Sequence, residues 1–306
     1  MNQAIKRAIF LSYSKTMDVI SRTGIARILL PLKARINLGK FLRHAVNKIV
    51  ILDTNKSYNV FGHKMYLHHG SATLQEMAFG TYELDTVDVF RKIVKPGMTV
   101  VDIGAHVGYY TLLAARLVWP DGRVYAFEPN PEVYEILVRN IEVNGYHGIV
   151  LAIPKAVSNR KCIVKLYIPW EDSGEASLYL SESAGKGYVQ VETLILDEFL
   201  AAEGWPKVGL VKIDVEGAEV EVLEGMRETA RRSEDLKLIV EFNPGNQMKA
   251  RGSCTKLFEI LRELGFKRFY AIRHGLKEVI LPDDVEKLIR LTESTNAKYV
   301  NLLCEM

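Results

Sequence analysis

The chain of 306 residues contains few cysteines and no long apolar run. The three cysteines, Cys162, Cys254 and Cys304, lie far apart in the sequence and form no C-x-x-C pair. Their spacing disfavours a cysteine-based zinc site and a disulfide framework. No apolar run reaches the roughly 18 residues that a membrane-spanning helix needs. Lys15 and Asp18 interrupt the apolar stretch at the N-terminus, so we identify no signal peptide. These absences predict a cytoplasmic protein, either soluble or bound peripherally to the cytoplasmic face of the membrane.

Acidic residues are nearly absent from the N-terminal segment. Residues 1–50 carry ten lysines and arginines and a single acid, so a net charge of +3 for the whole chain leaves −6 on the rest. Apolar residues recur there at close to helical spacing: Ile5, Ile9, Tyr13, Met17 and Ile20. We therefore predict that residues 1–60 form a basic amphipathic helical segment. In one interpretation, the apolar face of this segment packs on the rest of the protein and its charges are only solvated. In a second, its basic face binds anionic lipid. Binding of RNA is less favoured, because aromatic residues that could stack on bases are sparse there.

From residue 98 onward, short β-branched runs alternate with helical stretches, which is typical of βαβ units. Strands are predicted at residues 99–103, 123–127, 149–153, 209–215, 236–242, 267–272 and 299–303. Helices are predicted at residues 110–119, 131–143, 218–231 and 255–264. The pattern indicates an α/β fold with a Rossmann-like, seven-stranded, mostly parallel sheet. We assign residues 61–306 to this domain, with an antiparallel β insertion at residues 158–193.

The first predicted strand runs into a glycine turn, Val101-Asp102-Ile103-Gly104-Ala105-His106-Val107-Gly108. Glycines at a strand-to-helix turn let the backbone approach a ligand. The spacing is G-x-x-x-G and lacks the G-x-G-x-x-G of a pyrophosphate-binding turn. The acid Asp102 would repel phosphates and attract an ammonium or sulfonium group. The turn therefore favours S-adenosylmethionine over NAD.

Acids also follow the other predicted strands at their carboxyl ends, where open parallel sheets bind ligands. Glu128, in Phe127-Glu128-Pro129-Asn130-Pro131, is placed to accept hydrogen bonds from ribose hydroxyls. Asp214, Glu216 and Glu241 follow or end the later strands and are our candidate catalytic residues. Asp214 is the first choice as base, and His106 in the glycine turn is an outside candidate. An alternative for Asp214 and Glu216 is a purely structural role as helix caps.

Three smaller features accompany these acids. Lys212 interrupts an apolar strand, which predicts that it is paired with a nearby carboxylate. Asn243-Pro244-Gly245 is a strong turn signal. His68 and His69 have no carboxylate or cysteine at ligand spacing, so we predict a surface or packing role for them and no metal site.

Several motifs together resemble one family. They are Gly80-Thr81-Tyr82-Glu83, the glycine turn continued through Tyr109-Tyr110-Thr111, Phe127-Glu128-Pro129-Asn130-Pro131, Thr193-Leu194-Ile195-Leu196-Asp197, Lys212-Ile213-Asp214-Val215-Glu216-Gly217-Ala218-Glu219 and Val222-Leu223-Glu224-Gly225. Over residues 75–270 the chain resembles the FkbM family of S-adenosylmethionine-dependent methyltransferases. His106 departs from the asparagine that is common in the family.

The resemblance implies O-methylation of a hydroxyl on a sugar, a glycolipid or a related small molecule. It also implies a cofactor site in these motifs. Together with the candidates that we select from the same motifs, the predicted cofactor site comprises Glu83, Asp102, Gly104, Ala105, His106, Gly108, Tyr109, Glu128, Pro129 and Asn130. It places Glu83 and Asp214 near the methionine moiety or the acceptor. The alternatives left open are an RNA methyltransferase that binds nucleic acid through residues 1–50, a non-catalytic adenosyl-binding module, and an NAD-dependent dehydrogenase.

Overall fold

A computed structural model describes residues 53–68, 72–169, 176–179, 185–281, 283–293 and 298–306, together with residues 8 and 12. Apart from these two, the predicted helices of residues 1–50 lie outside the described residues, as does His69. Within the described ranges, no helix has both the length and the apolar character needed to cross a bilayer.

The elements follow one another in a mostly alternating order. The strands are β1 (Tyr58–Val60), β2 (His63–Met65), β3 (Thr99–Ile103), β4 (Arg123–Phe127), β5 (Val150–Ile153), β6 (Ala156–Val157), β7 (Ile163–Pro169), β8 (Gly185–Leu194), β9 (Val208–Ile213), β10 (Lys237–Phe242), β11 (Arg268–Ile272), β12 (Leu276–Val279) and β13 (Val300–Glu305). The helices are α1 (Ala72–Phe79), α2 (Leu84–Ile93), α3 (Tyr109–Val118), α4 (Pro131–Val143), α5 (Leu196–Ala202), α6 (Glu219–Glu224), α7 (Arg227–Arg232), α8 (Pro244–Arg251), α9 (Lys256–Glu263) and α10 (Val285–Glu293).

The central sheet has the strand order β12-β11-β13-β10-β9-β3-β4-β5. Strands β10, β9, β3, β4 and β5 are mutually parallel, and β13 runs antiparallel to both β10 and β11. This confirms the predicted Rossmann-like, mostly parallel sheet. The difference is an eighth strand, β12, which pairs antiparallel with β11 at the edge. Most of its residues are exposed, so it lacks the apolar run by which a buried strand is recognised.

Two apolar layers cover the two faces of this sheet. Alternate residues of β3 point to opposite faces: Val101 and Ile103 belong to one buried cluster, and Val100 belongs to the other. The first cluster includes Leu223 of α6, whereas the second includes Leu112 of α3. Helices therefore cover both faces and leave the carboxyl ends of the parallel strands as the open edge.

Two local predictions differ from the structure. The helix predicted at residues 218–231 is divided into α6 and α7, and the break follows Gly225. A Cβ atom at Gly225 would lie 2.3 Å from the carbonyl oxygen of Ser158, so the chain passes too closely there for a side chain. The predicted Asn243-Pro244-Gly245 turn is instead the start of α8, in which the Asn243 side chain accepts a hydrogen bond from the N–H of Asn246 (3.2 Å) and Pro244 occupies the first turn.

The insertion at residues 158–193 contains the antiparallel pair that the alternating pattern predicts. Strands β7 and β8 pair in antiparallel register, and β6 adds to β8 in parallel register. Leu166, Ala176 and Leu178 of this region lie beside the carboxyl ends of β3 and β4. The insertion thus forms a wall over the open edge of the sheet.

Candidate active site

The turn between β3 and α3 brings backbone unusually close to the end of β9. Gly104 has φ +82°, and a Cβ atom there would lie 1.8 Å from the carbonyl oxygen of Asp214. The N–H groups of Gly104 and Ala105 both donate to the carbonyl oxygen of Phe127, at 3.0 Å each. Gly108, with φ +95°, precedes α3, and a Cβ there would meet Leu137 at 2.8 Å. Both glycines are therefore required by the geometry of the turn.

Glu128 closes one side of this turn. Its carboxylate accepts hydrogen bonds from the backbone N–H groups of His106 (2.9 Å) and Asn130 (2.8 Å), and its side chain is buried. Burial raises the pKa of Glu128 to about 7, while the two backbone hydrogen bonds act in the opposite direction. Asn130 also caps α4, since its side chain accepts from the N–H of Glu132 (3.2 Å). The remaining acceptor capacity of Glu128 is available to a ligand.

A cleft opens beside the turn. Six of the predicted site residues line it: Gly104, His106, Glu128, Pro129, Asp214 and Glu216. Val157, Leu166 and Leu178 add an apolar wall. The cleft is therefore lined by a glycine turn, by carboxylates and by apolar side chains.

The three predicted catalytic acids converge at this edge of the sheet. One carboxylate oxygen from each of Asp214, Glu216 and Glu241 lies within 4.8 Å of the other two. Glu241 is only 3% exposed, and burial raises its pKa well above the ordinary value, with Glu216 and Asp214 adding to the rise. Neither Asp214 nor Glu216 caps α6, where the N-cap residue is Ala218. The helix-cap role that was the alternative for these two acids is therefore wrong.

Lys212 is paired as the sequence predicts. Its ammonium lies 2.8 Å from Oδ2 of Asp214 and 4.6 Å from the centre of the Tyr110 ring, and its side chain is 3% exposed. Burial alone would lower the pKa of Lys212, but Asp214, Asp102 and Glu83 outweigh burial and raise it. Lys212 is thus a charged group held within a cluster of acids.

Asp102 lies behind the turn, on β3 beside Lys212 of β9. Its Oδ2 accepts a hydrogen bond from the Thr111 hydroxyl (2.6 Å), while Oδ1 has no hydrogen-bond partner among the described residues. Burial raises the pKa of Asp102, and Lys212 and Thr111 oppose that rise. The carboxylate therefore has one acceptor atom that no described residue uses.

Glu83 and Tyr109 lie one layer further from the cleft. The Glu83 carboxylate accepts from the Tyr110 hydroxyl (2.7 Å) and from the Asn301 amide (2.8 Å). The Tyr109 hydroxyl donates to the carbonyl oxygen of Tyr82 (2.8 Å), and its ring is buried among aromatic side chains. Of the described residues, neither Glu83 nor Tyr109 is among those that line the cleft.

His106 and His68 form a pair that sequence reasoning did not find. Their Nε2 atoms are 3.4 Å apart, and the rings are edge to face. Burial, together with smaller contributions from His68 and Lys212, lowers the pKa of His106 to about 3. His106 is therefore neutral at physiological pH and a weak base.

Sequence reasoning also missed the polar groups that hold the acids. The Glu216 carboxylate accepts from the Asn246 amide, and Glu219 accepts from the Gly217 N–H (3.0 Å) and from the Gln247 amide. Asn246 and Gln247 belong to α8, which was predicted only as a turn. The sequence signal that could have predicted helix α8 is the Asn243-Pro244 dipeptide, because asparagine is a common N-cap residue and proline is common in the first turn of a helix.

Comparisons with known proteins agree with this geometry. The family model described as the methyltransferase FkbM domain matches residues 102–268. A protein-L-isoaspartate O-methyltransferase from Aeropyrum pernix is 50% identical over 56 residues, which is 18% of this chain and 22% of that protein. Methyltransferase sdnD from Sordaria araneosa is 30% identical over 158 residues, 42% of this chain and 60% of that one. Hexuronic acid methyltransferase AglP from Haloferax volcanii is 27% identical over 163 residues, 53% of this chain and 63% of that one.

The fold and site define a Rossmann-like methyltransferase that uses S-adenosylmethionine. The chain belongs to the FkbM methyltransferase domain family, whose model matches more than half of it. The match spans less than two thirds of the length of each of the three relatives. The residues fit S-adenosylmethionine, because the Glu128 carboxylate lines the cleft beside the glycine turn and the buried Oδ1 atom of Asp102 has no hydrogen-bond partner among the described residues.

Proposed function

We propose that this methyltransferase acts on a hydroxyl group of a sugar, a glycolipid or a related small molecule. The observation that carries the proposal is the convergence of Asp214, Glu216 and Glu241 within 4.8 Å of one another. Asp214 and Glu216 also line the cleft that contains Gly104 and Glu128. Carboxylates at this place can accept a hydroxyl proton, which a neutral oxygen nucleophile must lose.

The cofactor supplies an activated methyl group on a sulfonium. Transfer of that methyl group to the acceptor oxygen would release a neutral thioether, so the chain itself has to accept only the hydroxyl proton. The hydroxyl proton passes to a carboxylate, for which Asp214 is the first candidate. Orientation contributes about 7–11 kcal/mol in well-aligned reactions, and a general base adds about 10²–10⁴-fold.

Roles for the other residues follow from their positions. Glu128 accepts hydrogen bonds from the ribose hydroxyls, beside Gly104 and the backbone of Ala105. Asp102, whose Oδ1 atom has no hydrogen-bond partner among the described residues, and Glu83 attract the ammonium of the methionine moiety. Gly108 starts α3 behind the turn. These assignments remain predictions.

The acceptor class has two kinds of support. The relative from Haloferax volcanii is named a hexuronic acid methyltransferase, and a sugar acid carries the neighbouring hydroxyl groups that an acidic site can hydrogen-bond. The β insertion supplies Leu166 and Leu178 as an apolar wall of the cleft, which suits the apolar face of a sugar ring or a lipid-linked acceptor.

The experiment is transfer of a labelled methyl group from S-adenosylmethionine to fractionated saccharide and lipid extracts, with RNA as a further arm. We expect label in a methyl ether of a saccharide or glycolipid. Label found on RNA or on nitrogen would contradict the proposal. The Asp214→Asn variant should lose about 10²-fold or more in turnover with little change in affinity for S-adenosylhomocysteine. Asp235→Asn, at a side chain 88% exposed, is the matched control.

Residues 1–50, the basic segment, lie almost wholly outside the described residues. Its binding to lipid or to RNA stays a prediction, as do the proposed boundaries at residues 1–60 and 61–306. The boundary falls in the turn between β1 and β2. Co-sedimentation with anionic liposomes at low and high salt tests the lipid prediction, because electrostatic binding weakens as salt rises.

A further inference from the structure

We propose that Asp214, Glu216 and Glu241 together bind a hard divalent cation, Mg²⁺ or Mn²⁺, at the carboxyl ends of β9 and β10. The sequence predicts no metal site, since His68 and His69 have no carboxylate or cysteine at ligand spacing. The sheet order places β9 and β10 side by side and so brings the three carboxylates together.

The separation of the carboxylates suits one ion. Their nearest oxygens lie within 4.8 Å of one another. Oxygens around an octahedral Mg²⁺ at about 2.1 Å are separated by about 3 to 4.2 Å, so side-chain rotations alone would complete the set. Oxygen-only ligands favour Mg²⁺, Mn²⁺ or Ca²⁺ over the softer metals that bind histidine and cysteine.

Glu241 provides an independent reason to expect a cation. Its side chain is 3% exposed, and its buried Oε1 atom accepts no hydrogen bond from any described residue. The same carboxylate faces the negative charges of Glu216 and Asp214, and more distantly Glu219 and Glu83. A buried carboxylate oxygen without a hydrogen-bond partner is costly unless a ligand supplies the missing interaction.

The Lys212 ammonium makes no recorded hydrogen bond or ion pair with Glu241 among the described residues. Its hydrogen bond goes to Oδ2 of Asp214, and no ion pair between described residues joins a lysine or arginine to Glu241. The Asn246 amide donates to Oε2 of Glu216. Such outer hydrogen bonds orient ligating carboxylates at metal sites. One carboxylate of the set is therefore already held in position, while the buried one has a vacant acceptor.

The role of the ion rests on the proposed function. A cation beside Asp214, at the cleft, would bind oxygens of an acceptor that presents two neighbouring donors, such as a vicinal diol or a hydroxy acid. It would orient the hydroxyl and ease the loss of its proton. The binding of the ion itself does not depend on what the acceptor is.

The test is titration of Mn²⁺ into the full chain after removal of metals, followed by the electron paramagnetic resonance signal of free Mn²⁺. We expect one bound Mn²⁺ per chain, displaced by Mg²⁺. Glu241→Gln should weaken Mn²⁺ binding by at least about tenfold. The control, Glu234→Gln, changes an exposed acid and should bind Mn²⁺ as the unchanged chain does.

Thermal unfolding gives a second readout without catalysis. In chelator, Glu241→Gln should unfold at the same temperature as the unchanged chain or higher, because it removes a buried carboxyl group from among neighbouring acids. Mn²⁺ should raise the unfolding temperature of the unchanged chain and not that of the variant. If Glu241→Gln does not fold, Glu216→Gln provides the same comparison.

Failure to bind one Mn²⁺, or equal binding by the unchanged chain and both ligand variants, would overturn the metal site. Either result would leave methyl transfer to a hydroxyl intact, since transfer can be measured in chelator. Conversely, label on an acceptor other than a hydroxyl would overturn the proposed function while Mn²⁺ binding remained.

Discussion

Replacing Lys212 by methionine tests whether the acidic site depends on one buried cation. The Lys212 side chain is 3% exposed and its ammonium lies 2.8 Å from Asp214. Methionine retains the unbranched shape of the side chain but removes the charge. The variant leaves Asp214 and the neighbouring Asp102 without the cation that offsets them.

The size of the effect follows from burial. Removing one partner of a buried ion pair costs about 3–5 kcal/mol, because the remaining charge is uncompensated. For a domain of this size, each kcal/mol lowers the unfolding temperature by roughly 2–4 °C, so the expected decrease is about 6–20 °C. The exposed pair between Lys207 and Asp235, at 3.6 Å with side chains 76% and 88% exposed, is the matched control. Lys207→Met should cost no more than about 1 kcal/mol.

The pH dependence distinguishes charge from packing. Lys212 opposes the rise of the Asp102 pKa, so without Lys212 the folded-state pKa of Asp102 rises further above the unfolded value of about 3.9. A carboxylate with a raised folded-state pKa destabilises the fold increasingly as pH rises above that unfolded value. The deficit of Lys212→Met should therefore be smaller at about pH 5 than at about pH 8 in urea unfolding. A deficit equal to that of Lys207→Met, or one independent of pH, would refute the reasoning.

Three further results are expected at the cofactor site. Glu128→Gln should weaken binding of S-adenosylhomocysteine about 10- to 100-fold in calorimetry, because a hydrogen bond to a charged group contributes about 1.5–3 kcal/mol, whereas the exposed Glu132→Gln should not. Since the pKa of Glu128 is raised to about 7 and the ionised form accepts the ribose hydroxyls, affinity should rise about tenfold from about pH 6 to about pH 8, and a flat profile would contradict this role. Gly104→Ala should lose cofactor binding and stability, because its Cβ would lie 1.8 Å from the Asp214 carbonyl oxygen. Its control is Gly97→Ala, which is also at positive φ but has no atom within 4 Å of its Cβ. That control should show only the backbone strain of about 1–3 kcal/mol.

The parallel core could be predicted closely because its strands are short β-branched runs with turn signals at both ends. Strands β3 and β4 and helix α4 have the predicted bounds. The elements that were missed lack such signals or depend on distant contacts. The division between α6 and α7 depends on the approach of the Ser158 carbonyl to Gly225, which a sequence pattern does not contain.

The convergence of Asp214, Glu216 and Glu241 was predictable because parallel strands end at a common edge. The hydrogen-bond partner of Glu216 was not, because Asn246 comes from a helix whose place depends on sheet order. The same holds for Asn301, which is the partner of Glu83. Asn301 is on β13, the antiparallel strand beside β10. Its hydrogen bond to Glu83 joins residues 218 positions apart, and no local pattern indicates it.

The most direct test of the account is a crystal structure of the chain with S-adenosylhomocysteine bound. We predict that the adenosine lies between Gly104 and Glu128, with both ribose hydroxyls within about 3.2 Å of the Glu128 carboxylate, and that the sulfur faces Asp214. An adenosine bound elsewhere on the chain, or a ribose that does not contact Glu128, would contradict the assignment of this cleft as the cofactor site.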